Sequence, residues 1–204
     1  MVKDAEQTKQ NIITAALELF TEKGYYETKV SDIVKRAGVA QGTFYLYFPT
    51  KESLFIRILN NTNQAMLEQI EHIFAEKVSL EMSEEEIKES LFATIKGCKT
   101  MYREHRDIMY ILRVHGVSQI PEVQKIMEEA DQSLHRIIIH LFKKFQLFPE
   151  YDQNAYEIAA RAIHGMLTET CLHYIILQES TEEDITKVAR VLTEMIYDMT
   201  LGSK

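Results

Sequence analysis

Between Gly24 and Pro49 the chain has room for two short helices and little else. Val30, Ile33, Val34 and Ala37 fall at i, i+3, i+4 and i+7, one face of a helix, and Gly38 stands where a left-handed cap ends it. Only Val39 and Ala40 separate this helix from a second stretch, Gln41 to Tyr47, which Pro49 closes. Phe44 and Phe48 lie on one face of that second stretch and anchor it to its neighbours. Two short helices joined by two residues form a helix-turn-helix, the unit that places its second helix in the major groove of DNA.

The same punctuation runs through the rest of the sequence. Ile12, Ile13, Ala16, Leu17 and Phe20 predict a first helix from about Ala5 to Lys23, with Gly24 as its C-terminal cap. Thr28 is expected to cap the second helix and Thr50 the fourth, which carries Glu52 in its first turn. Ser83 and Glu86 have the spacing of a capping box and open a fifth helix to about Glu104. A sixth runs from about Asp107 to His115 and stops at Gly116, and Pro121 opens a seventh to about Gln146. The last two span about Gln153 to Gln178 and Glu182 to Thr200, the final one capped by Thr181. No segment alternates with period two, so the expectation is an all-α chain of nine helices.

Composition narrows the function. The net charge of −8 argues against indiscriminate coating of nucleic acid, but it is unevenly placed. Residues 1 to 55 hold seven Lys or Arg and seven Asp or Glu, so a neutral head precedes an acidic body. Cys98 and Cys171 lack CxxC spacing, and the start "MVKDAEQTKQ" has no signal-peptide pattern, which predicts a cytoplasmic protein. No stretch is apolar and long enough for a transmembrane helix.

Within the helix-turn-helix, Gln41, Thr43, Tyr45 and Tyr47 point away from the Phe44–Phe48 face with polar tips that can reach bases or phosphates. Gly42 permits close backbone approach, and Lys51 adds an ammonium to a helix start that already favours an anion. At these residues the chain resembles the TetR family of bacterial one-component transcriptional repressors. The likeness runs through "IITAALELFTEKGYYETKVSDIVKRAGVAQGTFYLYFPTKESLF" and includes Gly24 with its following aromatic, Thr28, Asp32-Ile33, Ala37-Gly38-Val39, Gly42-Thr43-Phe44-Tyr45, Phe48 and Lys51-Glu52.

The resemblance implies a DNA-binding head over residues 1 to 50, aided by the first turn of helix 4, and an effector-binding and dimerisation body over 51 to 204. It implies phosphate contacts from Thr28, Tyr45, Tyr47 and Lys51, and base contacts from Gln41 and Thr43, with Ser31 and Leu46 as further readers. Ala40 and Leu46 depart from the family's pattern. Ala40 leaves helix 3 without a side-chain cap, and Leu46 would favour a thymine methyl over a hydrogen bond.

For the body the implied partners are a double-stranded operator, a small-molecule effector and a second copy of the chain. Helices 8 and 9 carry apolar faces that include Ile158, Ala162, Leu172 and Ile176 on one and Val188, Leu192 and Met195 on the other. These serve either a core or, by the resemblance, a four-helix dimer interface. Candidate pocket residues are Met66, Ile70, Tyr102, Met109, Arg113, His140, Met166 and Glu169. The Met- and Phe-rich body suggests a lipophilic or aromatic effector, and the acidic composition favours a cation.

Enzymatic, metal and redox readings find less support. No paired acid, nucleophile with base, phosphate loop or metal set is recognisable, so neither activity nor cofactor is expected. Glu169 with His173, and Asp131 with His135, stand at i, i+4, but two ligands do not make a metal site. Cys98 lies near Lys96 and Lys99, which would suit a thiol of lowered pKa, although a buried structural cysteine is the favoured reading. The alternative function is a ligand-sequestering or protein-interaction module without operator binding.

Overall fold

The computed structural model describes residues 2–75, 82–115, 117–144 and 146–200. Among them are nine α-helices and no strand: α1 Val2–Lys23, α2 Val30–Ala37, α3 Gln41–Tyr47, α4 Lys51–Ala75, α5 Glu84–Glu104, α6 Arg106–Val114, α7 Pro121–Lys144, α8 Gln153–Cys171 and α9 Glu182–Thr200. A 3-10 turn at Val117–Gln119 precedes α7, and a π-helical turn at Leu172–Ile176 continues α8. The expected stop at Gly116 lies outside the described residues.

Most helix starts follow local chemistry. Ser83 and Glu86 form the expected box, the Ser83 N–H donating to Glu86 Oε2 at 2.7 Å and the Glu86 N–H to Ser83 Oγ at 3.4 Å. Thr50 caps α4 by accepting from the Ser53 N–H at 2.9 Å, and Thr181 caps α9 by accepting from the Asp184 N–H at 3.2 Å. Gly24 and Gly38 adopt φ of 91° and 69°, the left-handed region that ends α1 and α2. A Cβ on Gly24 would also meet His115 Nδ1 at 3.3 Å.

Thr28 departs from its expected role. The residue before α2 is Lys29, whose backbone N–H donates to Asp32 Oδ2 at 3.1 Å. The Thr28 hydroxyl is instead buried and donates to Gly24 O at 2.7 Å and Leu19 O at 3.2 Å, tying the turn after α1 to α1 itself. Sequence spacing could not separate these roles, because both put a threonine two residues before the helix.

The chain forms two compact units, Met1–Ala65 with Asp107–Ile126, and Met66–Arg106 with Met127–Lys204. The first therefore takes in α4 as far as Ala65 and all of α6 from Asp107 onward, more than residues 1 to 50. Its centre is aromatic: Phe20, Tyr25 and Phe55 meet with ring centroids 5.2 to 5.9 Å apart, joining α1, the following turn and α4. Arg36 of α2 forks onto Glu22 at 2.8 and 2.9 Å and reaches Glu18 at 3.1 Å, so α2 is also pinned to α1 at the surface.

In the second unit Ile95, Ile138, Phe142, Tyr156, Ile163, Leu192 and Ile196 build a core from α5, α7, α8 and α9. Glu182 at the start of α9 accepts from Lys96 at 3.0 Å and Arg103 at 2.9 Å of α5. Replacing Thr28 by Val removes a buried donor while keeping its shape. It should lower the free energy of urea unfolding by about 1 to 2 kcal/mol, whereas Ser31→Ala, at an exposed site, should change it by no more than about 0.5 kcal/mol.

Candidate functional site

α3 is seven residues long and divides sharply between its two sides. Phe44 is fully buried and Phe48 nearly so, with their rings 5.8 Å apart. Opposite them, Gln41, Gly42, Tyr45 and Leu46 are exposed, Leu46 at 83%, and Thr43 and Tyr47 are half-buried. Ser31 is exposed on α2. Ala40 supplies no side-chain cap to α3. A Cβ built on Gly42 meets nothing within 4 Å, so the packing of this chain gives no reason for glycine there. Gly42 lies in the first turn of α3, on its exposed side.

Lys51 is turned inward. Its Nζ donates to Tyr25 O at 2.6 Å and Thr28 O at 2.7 Å, approaches Tyr26 O at 3.4 Å, and lies 4.3 Å from the centroid of the Tyr25 ring. Burial holds its pKa below the usual lysine value and pushes the Tyr25 phenol up to about 12. All three ammonium protons are therefore directed at the turn between α1 and α2. The structure gives Lys51 the role of a clamp on that turn rather than an extended arm, and gives the Thr28 hydroxyl an internal role as well.

The second unit holds a partly open cavity of about 470 Å³. Its walls are mostly Ile, Leu, Met and Phe from α4, α5, α7, α8 and α9, with Ser90, Thr94, Tyr102, Gln146, His164, Thr168 and Thr200 as polar groups. Of the expected pocket residues, Ile70 and Tyr102 line it. Met66 and Met166 lie outside its lining, and His140 and Glu169 are exposed elsewhere on α7 and α8. Met109 and Arg113 belong to the first unit. No Asp, Glu, Lys or Arg is among the lining residues, so the expected preference for a cation has no carboxylate behind it.

His164 pairs through Nδ1 with Nε2 of His135 at 2.8 Å, and its Nε2 lies 3.8 Å from Asp131 Oδ1. Burial holds His135 below the usual histidine pKa. The i, i+4 spacing of Asp131 and His135 suggested a pair along α7, yet each instead faces α8. Among the described residues no group of three or more His, Cys, Asp or Glu could hold a metal ion. Cys98 also departs from a reactive-thiol reading, since burial pushes it up to about 12.

Residues 12–58 match the bacterial regulatory proteins of the tetR family. This segment, which holds the helix-turn-helix and the start of α4, is thus of the tetR family type. The chain is 46% identical over 70 residues to an uncharacterised HTH-type transcriptional regulator, YvdT, of Bacillus subtilis (34% of this chain, 36% of that protein). It is 38% identical over 78 residues to the fatty acid metabolism regulator protein of the same organism (38% and 40% of the two chains). These alignments thus span well under two thirds of the relatives' own length. The fold extends further: the transcriptional regulator FadR of Bacillus subtilis, solved with stearoyl-CoA, superposes with a TM-score of 0.72 at 23% identity over 92% of this chain and 96% of that one.

In the second unit the last two helices do not bury all their apolar residues. Ile158, Val191, Met195 and Met199 are 47% to 61% exposed, and Ala162 is exposed beside them in sequence register. Ile176 and Leu192 are instead buried inside the chain, Val188 packs against the core, and Leu172 is half-buried. Lys51→Met should lower the unfolding free energy by about 1.5 to 3 kcal/mol, the range for hydrogen bonds to a charged donor. A loss below about 0.5 kcal/mol, typical of an ordinary surface position, would remove the clamp.

Proposed function

We propose that the chain is a sequence-specific, DNA-binding transcriptional regulator that acts as a homodimer and releases its operator when a lipophilic effector fills the cavity. The observation that carries the DNA reading is the outward face of α3, where a glycine without internal purpose stands among Gln41, Tyr45 and Leu46. Tyr45 and Tyr47 suit phosphates, Gln41 and Thr43 suit base edges, and Leu46 suits a thymine methyl. Lys51 and Thr28 contribute by fixing the turn that presents α2 and α3.

The exposed Ile158, Val191, Met195 and Met199 support an interface between copies, since apolar side chains of this size gain from burial. A two-fold pair presents two copies of α3 and reads a near-palindrome. The cavity favours an effector whose enclosed part is apolar and uncharged, matched by the Ile, Leu, Met and Phe walls. FadR of Bacillus subtilis holds stearoyl-CoA, a ligand with a long apolar chain, within the same fold. α4 carries Lys51 at its start and the cavity residue Ile70 further along. An effector that binds better when the two heads are wrongly spaced lowers operator affinity, and DNA lowers effector affinity by the same factor.

Selection of the purified protein against a random duplex pool at near-physiological salt should enrich a near-palindrome. No enrichment from folded protein would favour the sequestering module. Gly42→Ala separates stability from binding. It should stabilise the protein by about 0.5 to 1 kcal/mol while weakening affinity for the selected duplex about tenfold or more. Ile158→Arg, with Met195→Glu, should convert a dimer to a monomer in sedimentation velocity.

A further inference from the structure

Lys99 is fully buried on α5 (0% exposed), an unusual place for an ammonium. Its Nζ donates to Leu167 O at 2.7 Å and Thr170 Oγ1 at 2.6 Å, and meets Cys171 Sγ at 3.2 Å. None of these partners is a carboxylate, and the sulfur alone among them can take up a full negative charge. Cys171 ends the α-helical part of α8, at the junction with the π-helical turn, a widened geometry that concentrates at functional sites. Although only 2% exposed, Cys171 forms part of the cavity wall, as does Cys98. A thiol, an amine in contact with it and an apolar chamber beside both form an activated-nucleophile arrangement.

The geometry points to covalent capture: Cys171 adds to lipophilic α,β-unsaturated carbonyl compounds within the cavity, with the Lys99 amine as its base. This rests on the cavity being the effector site. The Lys99 amine takes the thiol proton, and the resulting ammonium is held by Leu167 O, Thr170 Oγ1 and the thiolate. The thiolate forms a C–S bond to the β-carbon while the π pair of the C=C bond moves to the α-carbon as an enolate. The ammonium returns its proton to the α-carbon, so the lysine ends unchanged and nothing is oxidised or reduced.

Charged electrophiles have no matching group among the lining residues, which restricts the class to neutral, apolar ones. Burial raises the pKa of Cys171 and lowers that of Lys99, and the lysine opposes the rise on the thiol. Cys98 is the natural comparison, because it shares the wall and its thiol is pushed up to about 12. Tyr102 of α5 packs against the Cys171 cluster, and α9 contributes the apolar Ile185.

The test uses the full chain with N-octylmaleimide, and with N-octylsuccinimide as the saturated counterpart, followed by intact mass, peptide mapping and thermal shift. A single adduct on Cys171, with Cys98 unmodified and with stabilisation by the succinimide, is expected. Lys99→Met should slow the Cys171 reaction at least about tenfold, the scale of a lost general base. In wild type the rate should level off with rising pH, because the pair shares one proton, whereas a lone thiol keeps accelerating up to its own pKa. An unmodified Cys171, or equal reaction at Cys98, overturns the proposal. If the succinimide still stabilises the protein in that case, the cavity reading stands alone; if it does not, that reading falls as well. An unchanged rate in Lys99→Met together with a profile that never levels removes the lysine's role.

Discussion

The turn between α1 and α2 carries no regular structure, and the presentation of α3 depends on it. Its carbonyls at Tyr25, Tyr26 and Thr28 converge on the Lys51 ammonium, and the Thr28 hydroxyl ties it back to Leu19 and Gly24. A single lysine from α4 donates to several of these carbonyls at once, and Tyr25 O also accepts from the Thr28 N–H at 3.3 Å. The Tyr25 ring lies under that ammonium and against Phe20 and Phe55. One contact set thus fixes α1, the turn and α4 together, and α2 and α3 follow from a short chain connection. Lys51, expected to contact phosphate, here donates to the turn and so orders the elements whose other residues face out.

In the second unit the polar exceptions are more informative than the apolar core. The core itself is an ordinary meeting of Ile, Leu and Phe from α5, α7, α8 and α9. Against it stand Lys99, buried with two oxygens and a sulfur, and the His135–His164 pair. Both are polar contacts between helices, one from α5 to α8 and the other from α7 to α8. Both also touch the cavity wall, through Cys171 and His164. Buried polar groups impose a geometry that apolar packing leaves loose, so they define the shape of the chamber as well as its chemistry.

Much of the helical framework was legible because its signals are local. The bounds of α2 and α3, the caps at Thr50, Ser83 and Thr181, and the C-terminal glycines of α1 and α2 rest on interactions within a few residues. The outward face of α3 was legible for the same reason, since Phe44 and Phe48 settle which side is inside. The candidate pocket was much less so. Ile70 and Tyr102 line it, but His140 and Glu169 lie outside, because a helix with apolar residues on much of its circumference does not announce which arc meets a cavity. The same ambiguity put Ile176 and Leu192 inside the chain while leaving Ile158 and Met195 outside.

By itself the sequence determined an all-α chain with a helix-turn-helix near its start, since the spacing of apolar residues, glycines and prolines acts over one or two turns. Tertiary structure alone decided what the long polar side chains do. Lys51 finds carbonyls on a turn before α2, Lys99 finds a thiol on α8, and His135 turns from its own helix to His164. These partners are far apart in the sequence, and no periodicity encodes them. They are set by which buried donors and acceptors remain unmatched once the helices have packed.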